Sequence, residues 1–88
     1  MTATVLLPSL LAAQAGGQAR FEVDGPTVES ALQALPVADL LFDELGELRP
    51  LVNVYVDGTD VRELDGLATP VGDGETVRVV AAVAGGAA

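Results

Sequence analysis

The chain has 88 residues, half of them hydrophobic, with thirteen Asp and Glu against four Arg, a formal net charge of -9, and no Cys, His, Lys or Trp. Without Cys or His there is no thiolate or imidazole nucleophile, no acid–base histidine, no iron–sulfur ligation, no zinc site of the usual nitrogen/sulfur kind and no disulfide brace. Arg20, Arg49, Arg62 and Arg78 stand scattered among acids, which argues against a nucleic-acid backbone as partner, and the acidity reads either as solubility or as steering toward a basic docking surface.

A chain this short folds around one small core, and the expected organisation is a single domain over 1–83 followed by a flexible tail, 84–88. Thr2 to Pro8, with Val5, Leu6 and Leu7 in a row, predicts a first strand. Leu10 to Ala15 predicts a helical turn that Gly16-Gly17 breaks. The apolar run from Val5 to Ala13 and the small-x-small Ala13-Gln14-Ala15 resemble a secretory signal. However, no basic residue precedes the run, Pro8 interrupts it, and its removal would delete the first strand. The expectation is a cytoplasmic protein. No run approaches the ~20 apolar residues of a membrane span.

Arg20 to Asp24 alternates, with Phe21 and Val23 on one face, as a half-buried strand pairing with the first does. Asp24-Gly25-Pro26-Thr27 is turn chemistry, and Thr27 can cap a helix whose apolar stripe is Val28, Ala31, Leu32 and Leu35, ended by Pro36. Val37, Leu41, Leu45 and Leu48 repeat that spacing and predict a second helix over Val37 to Leu45, with Gly46 as its stop. Leu51 to Val56 is the clearest strand. Asp57-Gly58 turns it back into a short strand over Thr59 to Arg62, and Leu64 to Pro70 reads as loop. Glu75 to Val83 predicts a long central strand, apolar enough on both faces to be covered on both. Strand, strand, helix, strand, short strand, strand is the order of an α+β β-grasp: a mixed sheet of four to five strands packed on one main helix.

Candidate sites are few. Asp57/Asp60 and Asp73/Glu75 read as turn formers, lacking the ligand count of a calcium loop, and no metal site is expected. Gly72-Asp73-Gly74 is followed by a strand where a phosphate loop needs a helix, and Gly16-Gly17 has no Lys-Ser or Lys-Thr after it. Gly85-Gly86 differs by position, because it follows the core strand at once. A tail without side chains can thread a narrow channel in a partner and deliver a carboxylate there.

Gly46-Glu47-Leu48-Arg49-Pro50, Val52 to Gly58, Asp60-Val61-Arg62, Gly66-Leu67-Ala68-Thr69-Pro70, Asp73-Gly74-Glu75 and Val83-Ala84-Gly85-Gly86 together resemble the MoaD/ThiS family of ubiquitin-like sulfur carriers. Within it, Gly66 to Thr69 and Ala82 to Gly86 look most like the CysO type of cysteine biosynthesis. The resemblance implies a non-enzymatic carrier without an intrinsic cofactor. An E1-like adenylyltransferase/sulfurtransferase would use ATP to adenylate the carboxylate of Gly86 and convert it to a thiocarboxylate, reached through Gly85 and Ala84. A biosynthetic enzyme would then accept the sulfur. Ala87-Ala88 place the carboxylate on the wrong residue, and the resemblance implies their removal between Gly86 and Ala87 by a zinc-dependent JAMM-type peptidase. Three alternatives stand beside this reading: the small subunit of a molybdopterin synthase, a ubiquitin-like protein modifier, and a β-grasp binding module with an inert tail.

Overall fold

The structure, a computed structural model, describes residues 2–81. The elements run β1 (Ala3–Leu6), α1 (Ser9–Gln14), β2 (Arg20–Val23), α2 (Val28–Gln33), α3 (Ala38–Leu41), β3 (Val52–Val56), β4 (Thr59–Asp60) and β5 (Thr76–Ala81), with 3₁₀ turns at Val61–Glu63 and Gly66–Ala68. The five strands form one sheet in the order β2-β1-β5-β3-β4. β5 lies at its centre, parallel to β1 and antiparallel to β3, while β1–β2 and β3–β4 are antiparallel pairs. This is the mixed β-grasp sheet expected. The expected ending of β5 at Val83, and the tail beyond it, lie outside the described residues.

One face of the sheet makes the core. Val5, Val54, Val77 and Val79 point inward at alternate positions, and α2 lays the fully buried Val28, Ala31 and Leu32 over them. Full burial of side chains of this size contributes about 1.5–3 kcal/mol each, before the entropy of ordering them is subtracted. The run from Val5 to Ala13 is spent on this packing: Val5, Leu7, Leu11 and Ala12 are all buried.

α2 begins where the sequence places it. Thr27 is extended (φ -133°, ψ 166°), its hydroxyl accepts from the Ser30 amide at 3.2 Å, and Glu29 sits in the first turn. Gly25 is required for a different reason: a Cβ there would fall 2.8 Å from the Ala31 backbone nitrogen, so only glycine lets the turn lie against the helix. Thr27→Ala is expected to lower stability by about 1 kcal/mol, read as a lower urea midpoint at unchanged slope. An unchanged midpoint would show that the cap contributes nothing.

Four expectations need correction. The helix expected over Val37 to Leu45 is one turn long and ends at Leu41. The Asp43 carboxylate accepts from the amides of Leu45 (2.9 Å) and Glu47 (3.0 Å), and Phe42 pairs with Leu48, so the chain doubles back instead of winding on. Leu45, in phase with Leu41 on a helix, is consequently 83% exposed. The short strand expected to Arg62 stops at Asp60, where the Asp60 carboxylate accepts from the Arg62 amide and starts a 3₁₀ turn. The loop from Leu64 to Pro70 holds another 3₁₀ turn and a buried Thr69, whose hydroxyl donates to the Gly66 carbonyl at 2.7 Å and accepts from the Asp65 amide. Finally, β5 is covered on one side only, since Arg78 and Val80 on its other face are exposed.

Candidate functional site

Three of the resemblance motifs serve as scaffolding for β5 and α2. Asp57 and Gly58 both take positive φ (48° and 89°), the geometry of a two-residue Asp-Gly hairpin turn, and return β3 into β4. The Asp57 carboxylate accepts from the Thr76 amide at 3.0 Å, tying that turn to the first residue of β5. Glu75 turns its carboxylate onto the Gly72 amide and closes the Gly72-Asp73-Gly74 turn. The Gly66 to Pro70 segment holds the start of α2: the Val28 amide donates to the Thr69 carbonyl, Thr27 bridges Pro70, and the Val71 amide donates to the Pro26 carbonyl. These groups lock helix, sheet and the entry to β5 together.

At its far end β5 is paired through Ala81, opposite Val52, so hydrogen bonding fixes it up to the last described residue. Because β1 runs parallel to β5, the end where β5 leaves is the end where β1 passes into α1, which carries the exposed Leu10. Gly85 and Gly86 follow Ala81 by four and five positions in the sequence. With Ala84 and Ala87, the other residues expected at the site, they lie outside the described residues.

Among the described residues nothing packs over the sheet face turned away from the helices, where Arg78 and Val80 are exposed. Register aligns one row across it: Arg20 beside Leu6, Leu6 beside Arg78, Arg78 opposite Tyr55, and Tyr55 opposite Asp60. Val80, 40% exposed, lies one step along β5. At one edge Arg20 pairs with Glu22 at 3.3 Å, and at the other Arg62 pairs with Asp60 at 2.8 Å. Arginines scattered along the sequence are thus gathered by the sheet, three of the four onto this face. Strand alternation puts Arg20 and Arg78 on the solvent side, but only the strand order makes them neighbours in one row, which sequence alone did not reveal.

The Asp60–Arg62 pair is bidentate, with Nε and Nη2 both donating to the carboxylate. These hydrogen bonds to Arg62, side chain first and backbone amide second, hold the Asp60 carboxyl below the ordinary aspartate range, and the Arg62 guanidinium is raised in turn. A carboxyl whose pKa falls on folding stabilises the fold above its unfolded value, and the contribution is lost as pH drops through the folded value. NMR titration of the Asp60 carboxyl should therefore give a midpoint below the model-peptide value of about 3.9. Arg62→Ala should bring it back up, and a midpoint unmoved by that substitution would disprove the coupling.

Among the described residues no group of three or more Asp and Glu is placed to hold a metal ion. A hollow of about 250 Å³ between Thr2, Asp24, Pro26 and Asp73 falls below the usual size of a ligand site. No helix among the described residues is long and apolar enough to cross a membrane.

Comparison with known proteins matches the ThiS family over residues 5–86, a span that includes the core, the motifs above and Gly85-Gly86. The chain belongs to the ThiS family. It is 37% identical over 93 aligned positions to the sulfur carrier protein CysO of Mycobacterium tuberculosis, covering 98% of this chain and all of that one. The crystal structure of M. tuberculosis CysO superposes with a TM-score of 0.83 at 34% identity, over 92% of this chain and 99% of that one. A chain of the Amycolatopsis orientalis BexX/CysO complex matches with a TM-score of 0.81 at 30% identity, over 92% of this chain and 96% of that chain. Small archaeal modifier protein 3 of Haloferax volcanii is 41% identical over 68 positions, covering 72% of this chain and 73% of its own. The ThiS-family chain is thus a sulfur carrier of ubiquitin-like β-grasp fold, of the CysO type.

Proposed function

We propose that this ThiS-family chain carries sulfur as a thiocarboxylate on Gly86, works in the cytoplasm and catalyses nothing itself. The carboxylate of Gly86 attacks the α-phosphorus of ATP on an E1-like adenylating partner, releasing pyrophosphate and leaving an acyl-adenylate. A sulfide-level sulfur attacks the acyl carbon, the bond to the adenylate oxygen breaks, AMP departs, and no electrons change hands. A biosynthetic enzyme, of cysteine or another sulfur-containing metabolite, then bonds the sulfur to its acceptor, and water cleaves the acyl carbon–sulfur bond, supplying the oxygen that restores the carboxylate. The chain needs no cofactor of its own, since ATP belongs to the partner.

The observation that carries this reading is the family match running through Gly86 together with the anchoring of β5 at the centre of the sheet. Gly86 follows Ala81 by five positions, a reach of at most about 18 Å, so a docked globule can deliver its acyl end into a partner's pocket while the sheet stays outside. The open sheet face is the docking surface in this reading, and the solved BexX/CysO complex shows that a relative does assemble with another protein. Because Ala87-Ala88 follow Gly86, the proposal includes hydrolysis of the Gly86–Ala87 peptide bond by a zinc-dependent JAMM-type peptidase before activation.

Intact-mass measurement of the protein isolated from its own cells tests both steps. The expected species ends at Gly86, and a fraction of it carries sulfur in place of one oxygen. A population ending only at Ala88, with no sulfur, would overturn the reading.

Similarity to an archaeal modifier protein favours a second reading, in which the same acyl-adenylate is passed to lysines of other proteins. A Gly86-dependent ladder of adducts on immunoblots would support it. With no lysine of its own, this chain would cap such adducts without forming lysine-linked chains.

A further inference from the structure

The open sheet face has an uneven charge pattern that the carrier reading does not require. Its two edge arginines are already neutralised by neighbours on their own strand or turn, Arg20 by Glu22 and Arg62 by Asp60. Arg78 is exposed in the middle of the same row and has no carboxylate within salt-bridge distance among the described residues. Its cross-strand neighbours are Leu6 and Tyr55, both half-buried, and the exposed Val80 follows two residues on. A lone guanidinium with Leu6, Tyr55 and Val80 beside it and only the uncharged Thr76 and Asn53 as polar neighbours on this face, on a chain with thirteen acids and four bases, is a poor use of one of few cations unless something covers it. Such an arrangement has the composition of an interface hot spot, where an Arg or Tyr anchor is shielded from water by its surroundings.

Resting on the carrier reading above, we propose that Arg78 is the recognition anchor of this face, and that the adenylating enzyme docks on it with a carboxylate set in an apolar surround. Charge complementarity fixes this choice. The remainder of the chain is acidic and favours a partner that is basic overall, which gives encounter but not register. Register requires the opposite sign at one point, and Arg78 is the point where this surface supplies it. An Arg–carboxylate contact, closed off by Leu6, Tyr55 and Val80, discriminates by leaving a buried charge unpaired in any wrong partner.

The test uses the Gly86-ended chain, the adenylating enzyme from the same cells and ATP, and reads AMP release in the presence of sulfide as carrier concentration is varied. Arg78→Glu should raise the concentration for half-maximal rate by about 30-fold or more, and Arg78→Lys by less, since it keeps the charge but loses the fork. Arg49→Glu, which makes the same change of net charge away from the sheet face, should stay within about twofold. Arg78 is exposed, so thermal melting of its two variants should match the parent, while Arg49→Glu gives up the 3.1 Å hydrogen bond from its guanidinium to the Asp39 carbonyl and is assayed at a temperature where its melting curve shows it fully folded.

Equal behaviour of Arg78→Glu and Arg49→Glu would overturn the anchor while leaving the carrier reading intact. A parent chain that elicits no AMP release would overturn both. A parent that sediments as a dimer, with Arg78→Glu as a monomer, would assign the face to a second copy of this chain and refute an enzyme partner there.

Discussion

Deleting Gly85-Gly86, or replacing Gly86 by valine, should abolish sulfur loading while the fold and its melting temperature stay unchanged. Loss of at least about 100-fold in loading rate is expected for Gly86→Val, because a β-branched side chain beside the acyl carbon displaces it from the attacking groups and blocks a channel shaped for a backbone without Cβ. The measurement is the fraction of chain that gains sulfur by intact mass after incubation with the adenylating enzyme, ATP and sulfide. The Gly86-ended parent is the positive control, and the chain still ending at Ala88 should behave like the deletion. Loading of Gly86→Val at the parental rate would refute the idea that the partner's channel reads an unencumbered backbone. Loading of the Ala88-ended chain would refute the need for trimming.

The largest effect on stability is expected from Leu32→Ala. Leu32 is fully buried between α2 and the sheet, and truncating such a residue costs about 2–5 kcal/mol. A protein of this length has of the order of 4–13 kcal/mol in total. The melting temperature should fall by roughly 10 °C or more, given about 4–8 °C per kcal/mol for a small domain. Leu45→Ala is the paired control. Both leucines lie on apolar stripes of helical spacing in the sequence, yet Leu45 is 83% exposed, so its truncation should move stability by no more than about 0.5 kcal/mol. A large loss on Leu45→Ala would mean that the second helix does continue through it and that the turn at Asp43 is wrong.

That contrast shows what was legible in advance and what was not. Local chemistry sufficed where one residue decides its own neighbourhood: Thr27 capping α2, Asp57-Gly58 closing a hairpin, Phe21 and Val23 alternating into the core. It failed at Asp43, because hydrophobic spacing measures a possible helix face and takes no account of a carboxylate that offers the backbone a competing partner. It also failed on the second face of β5. Val80 looks like core by composition, but burial depends on whether another layer exists, and the helices all lie on one side. The arginine row depended on strand order, a tertiary fact with no local signature. The family motifs were readable as a resemblance, and three of them, at Asp57, Gly66 to Pro70 and Glu75, turned out to brace β5 and α2. The expected site residues Gly85 and Gly86 stand apart from this account, for their role rests on where the chain leads after Ala81.

The central position of β5 has a mechanical consequence. In the proposed function, a partner that grips the acyl end and pulls along the strand axis puts the load on a strand bonded on one side to β1 and on the other to β3. Hydrogen bonds on both flanks are then strained together in shear, whereas an edge strand such as β4 could be peeled off one bond at a time. A carrier built this way can be drawn tightly into one catalytic pocket, released, and drawn into the next without its globule coming apart between visits.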